Sequence, residues 1–133
     1  MRLAESIARF ESHRRKAREL KEHGISDYLT FTALAMECFQ AVNSLIEIGQ
    51  SLITIRRMPL PDTYRQVFDV LYRQGVIPFE AAEAGKRLVY LRNLIAHEYH
   101  MISEQELLET VDLFSKVEEV LTAAKREVTH QDG

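Results

Sequence analysis

A single cysteine, Cys38, in 133 residues excludes an intrachain disulfide framework and a cysteine-rich zinc site. Its expected role is that of a small buried apolar side chain. Tryptophan is absent, proline and glycine number only 3 and 5, and no stretch alternates apolar and polar residues with a period of two. Such scarcity of breakers and of strand patterning predicts an all-α chain. No stretch approaches the ~20 apolar residues of a membrane span, and Met1-Arg2-Leu3-Ala4-Glu5-Ser6 lacks an apolar leader pattern. A cytoplasmic protein without membrane association is therefore expected. Excess positive charge is also missing: 17 Lys and Arg stand against 20 Asp and Glu, net -3, so no overall basic field points to nucleic acid.

What is present is globular. Hydrophobic residues make up 46% and charged residues 28%, enough to bury one core, and residues 1–133 are expected to form a single domain. Charge is unevenly spread. Residues 1–22 carry seven basic and four acidic groups, residues 54–100 seven and five, and residues 103–133 three and eight. An RNA ligand would have to use the middle segment, leaving the acidic C-terminal part to solvent or to a basic partner.

About five helices are predicted. Leu3, Ile7, Phe10, Ala17 and Leu20 recur at helical spacing, and Gly24 ends that first helix. Ser26 or Asp27 caps a long second helix over about 27–56. Its apolar positions, among them Leu34, Phe39, Val42, Leu45, Ile46, Leu52 and Ile53, spread round so much of the circumference that contact with both the bundle and a second subunit is expected. After Met58-Pro59-Leu60-Pro61, Asp62 caps a short third helix that Gly75 ends, and Pro78 sits in the first turn of a fourth. Ser103-Glu104-Gln105-Glu106 reads as a capping box opening a fifth helix, with Leu107, Val111, Phe114, Val117 and Leu121 inward. Residues 126–133 are polar and expected to fray.

Chemistry concentrates in Tyr90-Leu91-Arg92-Asn93-Leu94-Ile95-Ala96-His97-Glu98-Tyr99, where Arg, Asn, His and Tyr interrupt an apolar helical pattern. Asn93 and His97 are four apart and share a helix face, with Tyr90 one turn earlier, whereas Arg92 points off to one side. A guanidinium beside an imidazole suits phosphodiester chemistry. The first holds a dianionic transition state and the second titrates near neutral pH.

This stretch resembles the R-x-x-x-x-H signature of the HEPN superfamily, and within it the R-N-x-x-x-H-x-Y motif of HepT-like toxins, matched at Arg92, Asn93, His97 and Tyr99. Upstream, residues Pro61 to Phe68 followed by Gly75-Val76-Ile77 look like that family's connection between its second and fourth helices. The resemblance implies an all-α HEPN-like homodimer whose motifs face each other across a cleft. It also implies a toxin that cleaves RNA and is neutralised by a cognate minimal nucleotidyltransferase antitoxin, which adenylylates the tyrosine matching Tyr99.

On this reading cleavage is metal-independent and needs no cofactor. His97 takes the proton of a ribose 2'-hydroxyl or gives one to the leaving 5'-oxygen, Arg92 stabilises the phosphoryl oxygens, and Asn93 holds the imidazole tautomer or contacts the phosphate. A 2',3'-cyclic phosphate results. Base and acid together call for two histidines, which a C2 dimer supplies. Arg56, Arg57, Arg65 and Arg87, with Arg73 and Lys86 nearby, are the candidates for RNA backbone contact, against the plainer reading of a solvated surface. Asn43 and Glu47 on the second helix are further candidates for the cleft.

Plainer readings stand beside these. His97 can be a hydrogen-bonded residue near a helix end, and Tyr99 an ordinary amphipathic tyrosine. His97 and His100 are three apart but lack the H-E-x-x-H spacing and a third ligand, so no metal site is expected. A catalytically silent helical module that only binds a nucleotidyltransferase is the rival function, and a generic helical adaptor the third.

Overall fold

A hairpin of two long helices forms the body of the protein. The structure, a computed structural model, describes residues 2–132. Helix α1 (Arg2–His23) and helix α2 (Tyr28–Ile55) run antiparallel, as the cross-pairs Ser6 with Glu47 and His13 with Glu37 require. Between them Gly24 adopts φ 87, the left-handed conformation that costs glycine least. The cap of α2 is Asp27, whose carboxylate accepts from the Thr30 N–H at 3.1 Å. Hydrogen bonding from Thr30, its side chain first and its backbone second, holds the Asp27 carboxyl below its usual range.

Helices α3 (Tyr64–Arg73) and α4 (Phe79–His97) complete the scaffold of the site. Each begins one residue away from expectation. Thr63 caps α3, accepting from the Gln66 N–H, while the Asp62 N–H donates to Gln66 Oε1; Pro78 stands at the cap of α4 and not inside its first turn. Two glycines let α3 approach closely. A Cβ on Gly49 of α2 would lie 2.5 Å from Val67 Cγ1, and one on Gly85 of α4 would overlap the Phe68 ring.

The predicted fifth helix is interrupted. Ser103 and Glu106 form the expected capping box, and α5 (Glu104–Leu113) gives way to a tight 3-10 turn at Phe114–Val117 before α6 (Glu118–Asp132). The Thr110 hydroxyl donates back to the Glu106 carbonyl and the Ser115 hydroxyl to that of Asp112, bonds that bend helices. Phe114 and Val117 are buried as expected, and Phe114 meets Phe10 edge to face at 5.6 Å.

The polar segment expected to fray, 126–133, carries the last turns of α6, with Gly133 outside the described residues. Helix α6 continues to Asp132, because Val128 packs on the core and the nearly buried Glu127 carboxylate accepts from Arg56 Nε at 2.9 Å.

The bundle accounts for most of the apolar circumference of α2. All five of the other helices pack against it, burying Leu34, Cys38, Val42, Leu45, Ile48 and Leu52 within one chain. Among the described residues α2 alone is long and apolar enough, by length and composition, to cross a membrane. Its apolar side chains instead form the centre of the bundle. What remains exposed is a stripe carrying Leu29 and Met36, 76% and 54% accessible.

Candidate active site

Arg92 is the best-fixed polar side chain of the motif. From the middle of α4 it reaches across to α2, where its Nε donates to Asn43 Oδ1 at 2.8 Å, and its Nη1 donates to Asn93 Oδ1 at 2.9 Å. Its guanidinium carbon lies 5.1 Å from the Phe39 ring centre and 5.4 Å from that of Tyr64. Phe39 and Asn43 are four apart on α2 and so present one face, while Tyr64 opens α3. No carboxylate pairs with Arg92 among the described residues. Two amide oxygens and two rings therefore orient a half-buried cation without neutralising it.

Of the two parts expected of Asn93, the contact with the imidazole is not made within the chain among the described residues. The amide oxygen faces Arg92, not the imidazole, so Asn93 positions the guanidinium. Since Arg92 Nη1 can only donate, the atom it meets must be the amide oxygen, and the Asn93 amino group is left as a donor.

His97 is the last residue of α4, where Glu98, with φ -140, turns the chain away. Its side chain is exposed and has no hydrogen-bond partner among the described residues. Five helical positions separate it from Arg92, roughly 140° of rotation at ~100° per residue. Within one chain the two groups do not meet by hydrogen bonding.

Tyr99 lies in a 3-10 turn at Tyr99–Met101. Its hydroxyl donates to Thr32 Oγ1 at 3.4 Å, its ring meets Phe31 edge-on at 6.2 Å, and it is 39% accessible. Thr32 precedes Asn43 by eleven residues, about 16 Å along α2 at ~1.5 Å per residue. The phenol is thus near His97 in sequence while its oxygen turns towards the other end of the α2 face.

The remaining candidates separate. Arg65 lines a groove of about 540 Å³ between α3 and α4, together with Tyr64, Gln66, Lys86, Val89 and Asn93. Arg87 is bound by both oxygens of Glu109, at 2.8 and 3.0 Å, and lies 4.9 Å from the Tyr90 ring. The Glu109 hydrogen bonds raise the Arg87 pKa, and the same bonds lower that of Glu109. Arg56 is held by Glu127, thirteen residues past Asn43, about 20 Å along α2 at ~1.5 Å per residue. Arg57 is exposed at the end of α2 with φ 55. Glu47 pairs with Ser6 and Arg9, one turn beyond Asn43. Among the described residues no three His, Cys, Asp or Glu side chains converge to hold a metal ion. Phe39 and Tyr64 were not foreseen as site residues. Their signal was positional: Phe39 lies one turn before Asn43 on α2.

The chain shares its fold with solved structures at low identity. One is a tri-AMPylated HEPN toxin from Shewanella oneidensis in complex with an MNT antitoxin, with TM-score 0.84, 17% identity, and 94% of this chain and 97% of that one covered. A mutant of the toxin–antitoxin MntA–HpeT matches with TM-score 0.83 at 16% identity, over 95% and 99% of the two chains. YutE, a cytosolic protein of unknown function from Bacillus subtilis, matches with TM-score 0.81 at 14% identity, over 97% and 90%. No curated protein matches the sequence. The family description "Ribonuclease HepT-like" matches residues 3–124, nearly the whole helical bundle and all of the Arg92 to Tyr99 motif, and the chain belongs to that HepT-like family.

Proposed function

We propose that this chain is the toxin of a toxin–antitoxin pair: a cytoplasmic, homodimeric, metal-independent endoribonuclease, neutralised by a nucleotidyltransferase that adenylylates Tyr99. The observation that carries the catalytic part is the state of Arg92. Its charge is oriented by Asn43, Asn93, Phe39 and Tyr64 but is not compensated by a carboxylate, which leaves it available to a phosphate. In the step it serves, His97 removes the 2'-hydroxyl proton and the 2'-oxygen attacks the adjacent phosphorus. The 5'-oxygen leaves with a proton from a second imidazole, giving a 2',3'-cyclic phosphate and a 5'-hydroxyl.

Support for a second copy comes from the exposed stripe of α2. Leu29, Met36 and Asn43 are spaced seven apart, so an apolar strip runs along one face into the Arg92 acceptor. A C2 partner seated there buries the strip and brings a second His97. Support for the antitoxin comes from the likeness to toxins solved with MNT antitoxins, one of them tri-AMPylated, and from the accessibility of Tyr99.

The test is cleavage of single-stranded RNA in EDTA with wild type, Arg92→Ala and His97→Ala. Both variants are expected to remain folded and to lose activity on the order of 100-fold or more. Undiminished cleavage by both refutes the assignment. Wild type that binds a nucleotidyltransferase yet cleaves nothing supports the silent module instead.

A further inference from the structure

We propose that the groove between α3 and α4 is a subsite for one nucleotide flanking the cleaved phosphate, its base stacked on Tyr64 and its backbone phosphate met by Arg65. The proposal rests on the ribonuclease reading and adds to it where the RNA strand leaves Arg92. The groove's volume of about 540 Å³ lies within the ~300–1,000 Å³ usual for small-ligand sites. It adjoins Arg92 directly, because Tyr64 and Asn93 belong both to the groove and to the guanidinium's surroundings.

Three chemical features select a nucleotide. Tyr64 is 44% accessible, so a ring that already packs against Arg92 still offers surface for stacking. Of the two cations in the groove, Lys86 is paired with Asp69 at 3.0 Å and Glu83 at 2.7 Å, whereas Arg65 has no ion-pair partner among the described residues. The uncompensated charge is therefore that of Arg65. Finally, Asn93 Oδ1 and Gln66 Oε1 are both occupied, by Arg92 and by the Asp62 N–H, so each amide presents its NH₂ as a donor. These donors suit the carbonyl and ring-nitrogen acceptors of a base, while the Asp69 carboxylate that also lines the groove is held by Lys86 at 3.0 Å. Val89 supplies an apolar lining.

The test measures affinity of the whole protein for a labelled, non-cleavable 2'-O-methyl oligonucleotide by fluorescence anisotropy, alongside cleavage of the matching RNA by wild type. Tyr64→Ala is expected to weaken binding about 10-fold, the scale of one base stacked on an aromatic ring, and Tyr64→Phe to leave it within about twofold. An abasic nucleotide, placed in turn along the oligonucleotide, is expected to weaken wild type at one flanking position. At that position it should abolish the difference between wild type and Tyr64→Ala. Arg65→Gln should weaken every oligonucleotide equally and reduce the salt dependence of binding. The subsite is overturned if Tyr64→Ala binds as wild type does, or if its loss is the same with and without the flanking base, which would make the ring a mere support for Arg92. Absence of RNA cleavage by wild type overturns the ribonuclease reading alone, since the binding arm still decides the subsite.

Discussion

Asn43 on α2 and Arg92 on α4 are joined by a 2.8 Å hydrogen bond from Nε to Oδ1, and this bond sets the angle of the guanidinium. Asn43→Ala removes the acceptor and frees the side chain to rotate, so a fall in kcat of about 10-fold is expected with the fold retained. Asn43→Asp keeps the acceptor but supplies the carboxylate that Arg92 lacks. The fall should be deeper, on the order of 100-fold, because the charge meant for phosphate is then paired. RNA cleavage at saturating substrate distinguishes the two, and an Asp variant as active as wild type would refute this role.

Arg56 should matter for stability and not for RNA. Truncating it to Ala strands the nearly buried Glu127 carboxylate, while the exposed guanidinium limits the cost to about 1 kcal/mol. Urea denaturation should show that loss, and cleavage should stay within about twofold of wild type. A selective loss of RNA affinity without a change in stability would restore Arg56 as a contact.

The Arg87–Glu109 pair makes a pH prediction whose sign follows from Glu109. The hydrogen bonds from Arg87 hold the Glu109 carboxyl below the usual glutamate range, so its stabilising contribution is present above the unfolded value and is lost as pH falls through the folded one. Wild type should therefore be more stable than Glu109→Gln at neutral pH, with the gap closing in acid. Both side chains are partly exposed, so the gap is small and shrinks with salt. Denaturation midpoints of the two proteins between pH 7 and pH 3 supply the comparison.

Cys38 should be silent towards thiol reagents. Burial, with a smaller effect from Glu37, pushes its thiol up to about 12. At pH 8 the thiolate fraction is then on the order of one in ten thousand. Alkylation followed by mass spectrometry should leave the native chain unmodified and label it fully in denaturant.

Tyr99→Phe retains the ring edge against Phe31 and removes only the acceptor oxygen and its 3.4 Å bond to Thr32. Co-expression with the cognate nucleotidyltransferase should add AMP to the wild-type chain and none to the Phe variant, which should keep its cleavage activity. Adenylylation that persists in the variant would place the modification elsewhere.

Much of this was legible in the sequence because helical periodicity and capping are local. The boundaries of α1 and α2, the capping box at Ser103 and the inward Leu107, Phe114 and Leu121 all follow from residues within a turn or two of one another. The motif marked Arg92 for the same reason. What could not be read was long-range. The sequence offers both Asn43 and Glu47 of α2 for the cleft, and no pattern within that helix says that Asn43, 49 residues before Arg92, is the one that meets it while Glu47 turns to Ser6 and Arg9. Arg56 reads as a free surface cation until Glu127, 71 residues on, is seen beside it, and that same pair keeps the polar end of α6 helical. The breadth of apolar residues on α2 does not say how much of it five neighbouring helices cover and how much, as at Leu29 and Met36, stays exposed, because sequence does not count the helices packed against it.

Gly85 gives the α3–α4 contact an unusual sensitivity. The Phe68 ring rests where a side chain on Gly85 would begin, and Tyr64 lies one turn from Phe68 on the same helix. One added methyl therefore pushes on Phe68 and, through α3, on the ring beside Arg92, although position 85 is two turns from the guanidinium. Substitution there couples bundle stability to active-site alignment. In an evolving lineage, it offers a means of shifting the alignment of the Arg92 site by degrees while the charged and polar residues of that site stay unchanged.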